Sequence, residues 1–185
     1  MKDAVKITVV LTFVCAFCAF LLSFVNGAVE ERVKANQVAQ LQDALNKLSP
    51  KAQSVEEVAI GEDLIYKLLD EQKKLIAYGF VALGQGYQDK IKMLVVSDKN
   101  LRQLEGIEVL ESQETPGLGA KIKEADFLNQ FTKKDISRPL ECTKLDISKK
   151  SEIKAITSAT ISSRAVVNTL NKRIESMRKQ VKSLN

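Results

Sequence analysis

Five hydroxyl side chains crowd into seven residues at Thr157, Ser158, Thr160, Ser162 and Ser163, just ahead of a segment with helical apolar spacing. The start of a helix offers unpaired backbone N–H groups and the positive end of its dipole, and small hydroxylated residues add donors without blocking approach. Such a place attracts a phosphate. An ordinary N-cap supplied by Ser162 or Ser163 accounts for the same residues with less chemistry. A second stretch, Glu114-Thr115-Pro116-Gly117-Leu118-Gly119, uses two glycines and a proline to fix an unusual backbone path. That path is either a tight turn or a surface that a flat ligand approaches closely. The chain has no histidine. A Ser-His-Asp triad, a Cys-His pair and a His-ligated zinc or haem iron are thereby excluded, and Thr160 has no imidazole to take its proton. Chemistry here belongs to a cofactor or a partner, and a modified Thr160 is another enzyme's product.

These stretches sit in a chain of 185 residues with net charge +5, long enough for one domain and an appendage. From Leu64 to about Leu110 the pattern is that of strands: 64–69, 75–83, 91–96 and 104–110, separated by the polar turns Asp70-Glu71-Gln72, Gly84-Gln85-Gly86 and Ser97-Asp98-Lys99-Asn100. Short strands joined by short polar turns predict an antiparallel sheet. A short helix is expected around Ala125 to Phe131 and one more strand within Ile136 to Leu145. The last segment, Ser163 to about Lys182, carries Val166, Val167, Leu170, Ile174, Met177 and Val181 at helical spacing. Its basic residues Arg173, Arg178, Lys179 and Lys182 gather toward the end, where they complement the helix dipole and do not form a nucleic-acid patch. The expected class is α+β, a twisted antiparallel sheet packed by helices.

The N-terminal segment is different. From Ile7 to Val29 there are 23 consecutive uncharged residues, which as a helix reach about 34 Å against a hydrocarbon thickness of about 30 Å. That length favours a retained transmembrane anchor over a cleaved signal peptide, whose apolar core runs to about 7–15 residues. Lys2 and Lys6 precede the span, which keeps the N-terminus cytoplasmic and exports the rest. The expected organisation is 1–28 for the N-terminus and membrane helix, 29–50 for a helical stalk ending at Ser49-Pro50, and 51–185 for the extracytoplasmic domain. Cys15 and Cys18 fall inside the span and behave there as small apolar residues, with intramembrane iron ligation alongside another chain's cysteines as the alternative. Cys142 stands alone after the span and is expected to be a structural thiol.

In this order, behind the apolar segment, the motifs resemble a known family. They are Gly84-Gln85-Gly86-Tyr87, Glu114 to Ile122, and Ala155-Ile156-Thr157-Ser158-Ala159-Thr160-Ile161-Ser162-Ser163-Arg164. The chain resembles the flavin-binding subunit of ion-translocating redox complexes: the G subunit of the Rnf electron-transport complex and its relative, the C subunit of the sodium-translocating NADH:quinone reductase. The resemblance implies that Thr160 carries FMN through a phosphoester bond installed by a flavin transferase that uses FAD. It implies that Glu114 to Gly119 borders the isoalloxazine ring, with Thr115, Gly117 and Leu118 as contact candidates. Thr157, Ser158, Ala159, Ile161 and Ser162 would flank the attachment point. Lys154 and Ser158 stand where the family pattern has aspartate and glycine. The implied role is a non-catalytic electron carrier in the cell membrane, relaying electrons among membrane and iron–sulfur subunits while the complex moves sodium or protons. An unflavinylated assembly component and a tethered binding domain are the other readings.

Overall fold

The computed structural model describes residues 2–60 and 63–182. The chain divides into two compact units, one up to Gln40 and one from Leu41 onward. A single helix, α1 (Lys2–Leu48), supplies the first unit and contributes its last turns to the second. In the first unit Phe13, Phe17, Phe20, Leu22 and Phe24 are all exposed, as are the free thiols of Cys15 and Cys18. The hydroxyls of Thr8 and Thr12 donate to the carbonyls of Ala4 and Thr8 one turn back, at 3.0 and 2.9 Å. These two hydroxyls are thus satisfied within the helix, the arrangement an apolar solvent demands. The helix is long and apolar enough to cross a membrane.

The second unit is built on a five-stranded sheet, β1 (Ser54–Ile60), β2 (Asp63–Leu69), β3 (Leu75–Gln85), β4 (Lys90–Asp98) and β5 (Leu104–Ser112), paired antiparallel in sequence order. The four predicted strands are present, each a residue or more longer than its apolar run. β1 is not legible in the sequence, because Glu56 and Glu57 interrupt its pattern and it is an exposed edge strand. The segment Ile136 to Leu145 supplies the one further strand expected of it, outside the main sheet. Only Glu141–Thr143 (β6) is a strand, and it pairs in parallel with Glu152–Lys154 (β7), with Cys142 opposite Ile153. The short helix α2 (Ala125–Leu128) runs into a 3-10 turn at Asn129–Phe131.

Both sheet faces are covered, which explains the apolar run Met93 to Val96 of β4. Ile91, Met93 and Val95 point to one face and pack with Phe80, Phe131 and Ile153 under the long C-terminal helix α3 (Thr160–Lys182). Val166, Val167, Leu170, Ile174 and Met177 form the buried stripe of α3, the 3.6-residue periodicity read directly. Leu94 and Val96 point the other way, packing with Tyr66, Leu68 and Ala77 beneath Ala44 and Leu45 at the end of α1.

Two contacts lock α3 onto the sheet. A Cβ built on Gly84 of β3 would lie 1.8 Å from Thr169 Oγ1, 2.6 Å from its Cγ2 and 2.7 Å from its Cβ. Gly84→Ala is therefore expected to destabilise the domain by about 1–3 kcal/mol. Thr169→Ala should recover only part of that in the double variant, since the Thr169 Cβ contact persists; thermal unfolding of the four chains checks this. The second contact is Arg173. It donates from Nε to the Val81 carbonyl at 3.0 Å and from an η nitrogen to Asp63 Oδ2 at 2.7 Å, with its guanidinium 5.8 Å above the Phe80 ring.

Hydrogen bonds to Asp63 from Gln180 and from Arg173 hold its carboxyl below the usual aspartate range. A carboxyl whose folded value is depressed adds stability that is full above the unfolded value, near 4, and is lost as pH falls through the folded value. Denaturation midpoints measured from pH 6 down to pH 3 should fall, and Asp63→Asn should flatten part of that slope. The carboxyl is partly exposed, so the effect is small.

Candidate functional site

The attachment region starts from β7. On one side β7 pairs with β6; on the other the Gln130 side chain stands in for a strand, accepting from the Lys154 N–H at 2.7 Å and donating to the Lys154 carbonyl at 3.2 Å. The Lys154 ammonium pairs with Asp146 at 2.5 Å, so the positive charge at this position meets a carboxylate of the same chain. From this clamped end the chain turns through Ala155 to Ala159, closed by Ala159 N–H donating to the Ile156 carbonyl at 2.9 Å. Burial pushes the nearby Cys142 thiol up from its usual value, with Arg164 opposing, so it stays protonated at neutral pH.

The helix begins earlier than its apolar spacing indicates. Thr160, not Ser163, is its first residue, and the Ser163 N–H already bonds to the Ala159 carbonyl at 2.9 Å. Ser162 and Ser163 are therefore inside the first turn and neither caps it. The Ser163 hydroxyl accepts from the Ile156 N–H at 3.1 Å and donates to the Ala159 carbonyl at 2.9 Å, tying the turn to the helix. The capping position falls to Ala159, whose buried methyl has no acceptor. The N–H groups of Thr160, Ile161 and Ser162 thus have no partner within the helix, and no side-chain oxygen among the described residues accepts from them. Thr157 and Ser158 are exposed, and Thr160 is half-buried.

The second stretch lies against this turn. Thr115 to Leu118 has the pattern of a type II turn, with Pro116 second, Gly117 third at φ +75° and the Leu118 N–H bonded to the Thr115 carbonyl at 3.2 Å. Gly119 opens a 3-10 turn to Lys123. Glu114 is buried, and its carboxylate points inward. Oε1 accepts from the N–H groups of Tyr87 and Gln88 at 2.7 and 3.1 Å, and Oε2 accepts from the Ser162 hydroxyl at 2.6 Å. Thr115 Oγ1 donates to Gln88 Oε1 at 2.9 Å. One carboxylate therefore joins the two stretches singled out in the sequence to a third, the Gly86 to Gln88 turn. Each of the three presents an exposed apolar residue: Tyr87 at 65%, Leu118 at 46% and Ile161 at 59% exposure. Sequence reasoning misses Gln88 and Gln130. The first adjoins a flagged Gly-x-Gly turn, while the second carries no local signal.

A model of the FMN-binding domain matches residues 86–175, from the Gly86 turn through most of α3. Two crystal structures share the fold at 18% identity. One is NqrC from Shewanella oneidensis, with a TM-score of 0.57, covering 72% of this chain and 73% of that one. The other is the C subunit of the Na(+)-translocating NADH-quinone reductase from Parabacteroides distasonis, with a TM-score of 0.58, covering 74% and 82%. The class this defines is that of residues 86–175, an FMN-binding domain by its family match. The chain is 32% identical over 193 residues to the G subunit of the Na(+)-translocating ferredoxin:NAD(+) oxidoreductase complex of Acetobacterium woodii, covering 94% of this chain and 91% of that protein. It is 29% identical over 182 residues to the G subunit of the ion-translocating oxidoreductase complex of Methanosarcina acetivorans, covering 94% of each. The chain belongs to this family of G subunits.

Proposed function

We propose that this chain is a membrane-anchored electron carrier that holds FMN covalently through Thr160 and relays electrons between subunits of an ion-translocating redox complex. The observation that carries the reading is the open first turn of α3. A helix start with alanine at the capping position forgoes about 0.5–2 kcal/mol relative to a serine or aspartate cap, here among five hydroxyl residues that do not take the role. A phosphate esterified to Thr160 would supply the missing acceptor, with the dipole favouring its charge by roughly 0.3–1 kcal/mol. The Thr160 hydroxyl suits this use because it is half-exposed and makes no hydrogen bond to the described residues. Thr157, Ser158 and the first-turn N–H groups would hold the phosphate. Tyr87, Leu118 and Ile161 offer apolar surface to a flat ring, and the Thr115 to Gly119 turn lets backbone come close to it.

Bound FMN supplies reversible electron uptake and release. The protein supplies position. Ester formation is the work of a flavin transferase: the Thr160 oxygen bonds to the FMN phosphorus of FAD, AMP leaves, and the hydroxyl proton passes to a base of that enzyme. The assigned arrangement is residues 1–28 as N-terminus and membrane helix, 29–50 as stalk and 51–185 as domain, with Lys2 and Lys6 keeping the N-terminus cytoplasmic and the domain outside. Anchoring in the same membrane as its partner subunits raises the effective concentration of the carrier. The named relatives, subunits of ion-translocating oxidoreductases, support the assembly.

Expressed with a flavin transferase, the chain should give a fluorescent band on a denaturing gel, and a dark band without it. A dark band from the co-expressed chain, beside a control protein that the same transferase loads, overturns the covalent assignment.

A further inference from the structure

We propose that Glu114 is a positioning residue, which sets the first turn of α3 against the two neighbouring turns so that Thr160 and its apolar surroundings meet the flavin in one arrangement. This rests on the FMN reading above and assigns Glu114 a task other than touching the ring. Its carboxylate is buried, no cation pairs with it among the described residues, and its three hydrogen bonds tie its own segment to two others. A buried acid in this state is costly unless its acceptors are filled, and here both oxygens are.

The surroundings are shaped to that carboxylate. A Cβ on Gly86 would lie 2.3 Å from Glu114 Oε1, and one on Gly119 would lie 2.5 Å from Oε2 and 2.8 Å from the Ser162 hydroxyl. Neither glycine is required by a positive φ; both leave room for the acid. The connection to the attachment point is short. Ser162 follows Thr160 by two residues, which at about 100° per residue puts the two side chains on opposite sides of the helix. Glu114 grips the first turn from its buried side while Thr160 faces outward. Tyr87 donates its N–H to the same carboxylate, so the exposed residues of all three segments are set by one group.

The test uses the full chain co-expressed with a flavin transferase, comparing wild type with Glu114→Ala, Glu114→Gln, Ser162→Ala and Gly119→Ala. Covalent flavin per chain, the visible circular dichroism of the flavin and its midpoint potential are measured. Wild type without flavin at Thr160 defeats the FMN reading itself, whatever the variants do. With wild type loaded, Glu114→Ala, which removes all three hydrogen bonds to the carboxyl group, should lower the rate of flavin attachment by at least roughly tenfold, the scale of a single such bond, and change the dichroism of the loaded fraction. Gly119→Ala should follow in direction. Glu114→Gln should recover most of both, because its amide oxygen accepts from Tyr87 and Gln88 while its NH2 donates to a turned Ser162 hydroxyl. If Glu114→Ala fails to fold, Ser162→Ala decides, since it cuts only the link to α3 and should still alter the dichroism. Wild-type loading, dichroism and potential in the folded variants overturn the proposal.

Discussion

Thr160→Val is expected to abolish covalent flavin while leaving the folded domain unchanged. The substitution keeps the branched shape and removes only the hydroxyl, so the half-buried side chain still fills its place at the first position of α3. Valine loses little here, because the threonine hydroxyl makes no hydrogen bond to the described residues and helix propensities of the two residues are similar. Flavin fluorescence on a denaturing gel should fall to background, with thermal unfolding within about 0.5 kcal/mol of wild type expressed without the transferase. Thr160→Ser should retain flavin, since it keeps the nucleophilic oxygen. Loss of flavin with loss of fold would assign Thr160 a structural task instead.

Phe80→Ala should have the largest effect on stability. Phe80 is fully buried in the middle of β3, opposite Ile65 on β2 and Val95 on β4, and beneath the Arg173 guanidinium. Removing the ring leaves a cavity at the centre of the α3–sheet layer, at a cost of about 3–5 kcal/mol. It also removes the face over which Arg173 lies. Phe80→Leu fills most of the volume and should cost less than half as much. Tyr66 and Tyr78 are buried on β2 and β3, so tyrosine fluorescence during urea unfolding reports loss of the sheet.

The strands are legible in the sequence where apolar residues alternate or run unbroken, as at Met93 to Val96, because both faces of that strand are covered. They are not legible where the edge is charged, as at Glu56 and Glu57, or where a strand is three residues long and paired in parallel, as at Glu152 to Lys154. The expected start of α3 is displaced because Ser162 and Ser163 have the composition of a cap; their hydroxyls instead serve Glu114 and Ala159. That the 114–119 turn and the 157–163 segment belong to one site follows from resemblance. The physical link between them, a buried carboxylate, is a tertiary fact with no local signature.

The covalent linkage proposed from the family resemblance comes down to one oxygen atom, that of Thr160, and that atom can be located. Trypsin should release Ala155 to Arg164 as one peptide, bounded by Lys154 and Arg164 and holding all five hydroxyl residues. From chain co-expressed with a flavin transferase, its mass should exceed the unmodified value by one FMN less one water, and fragmentation should put that mass on Thr160. An unmodified peptide, or FMN on Thr157, Ser158, Ser162 or Ser163, would contradict the account.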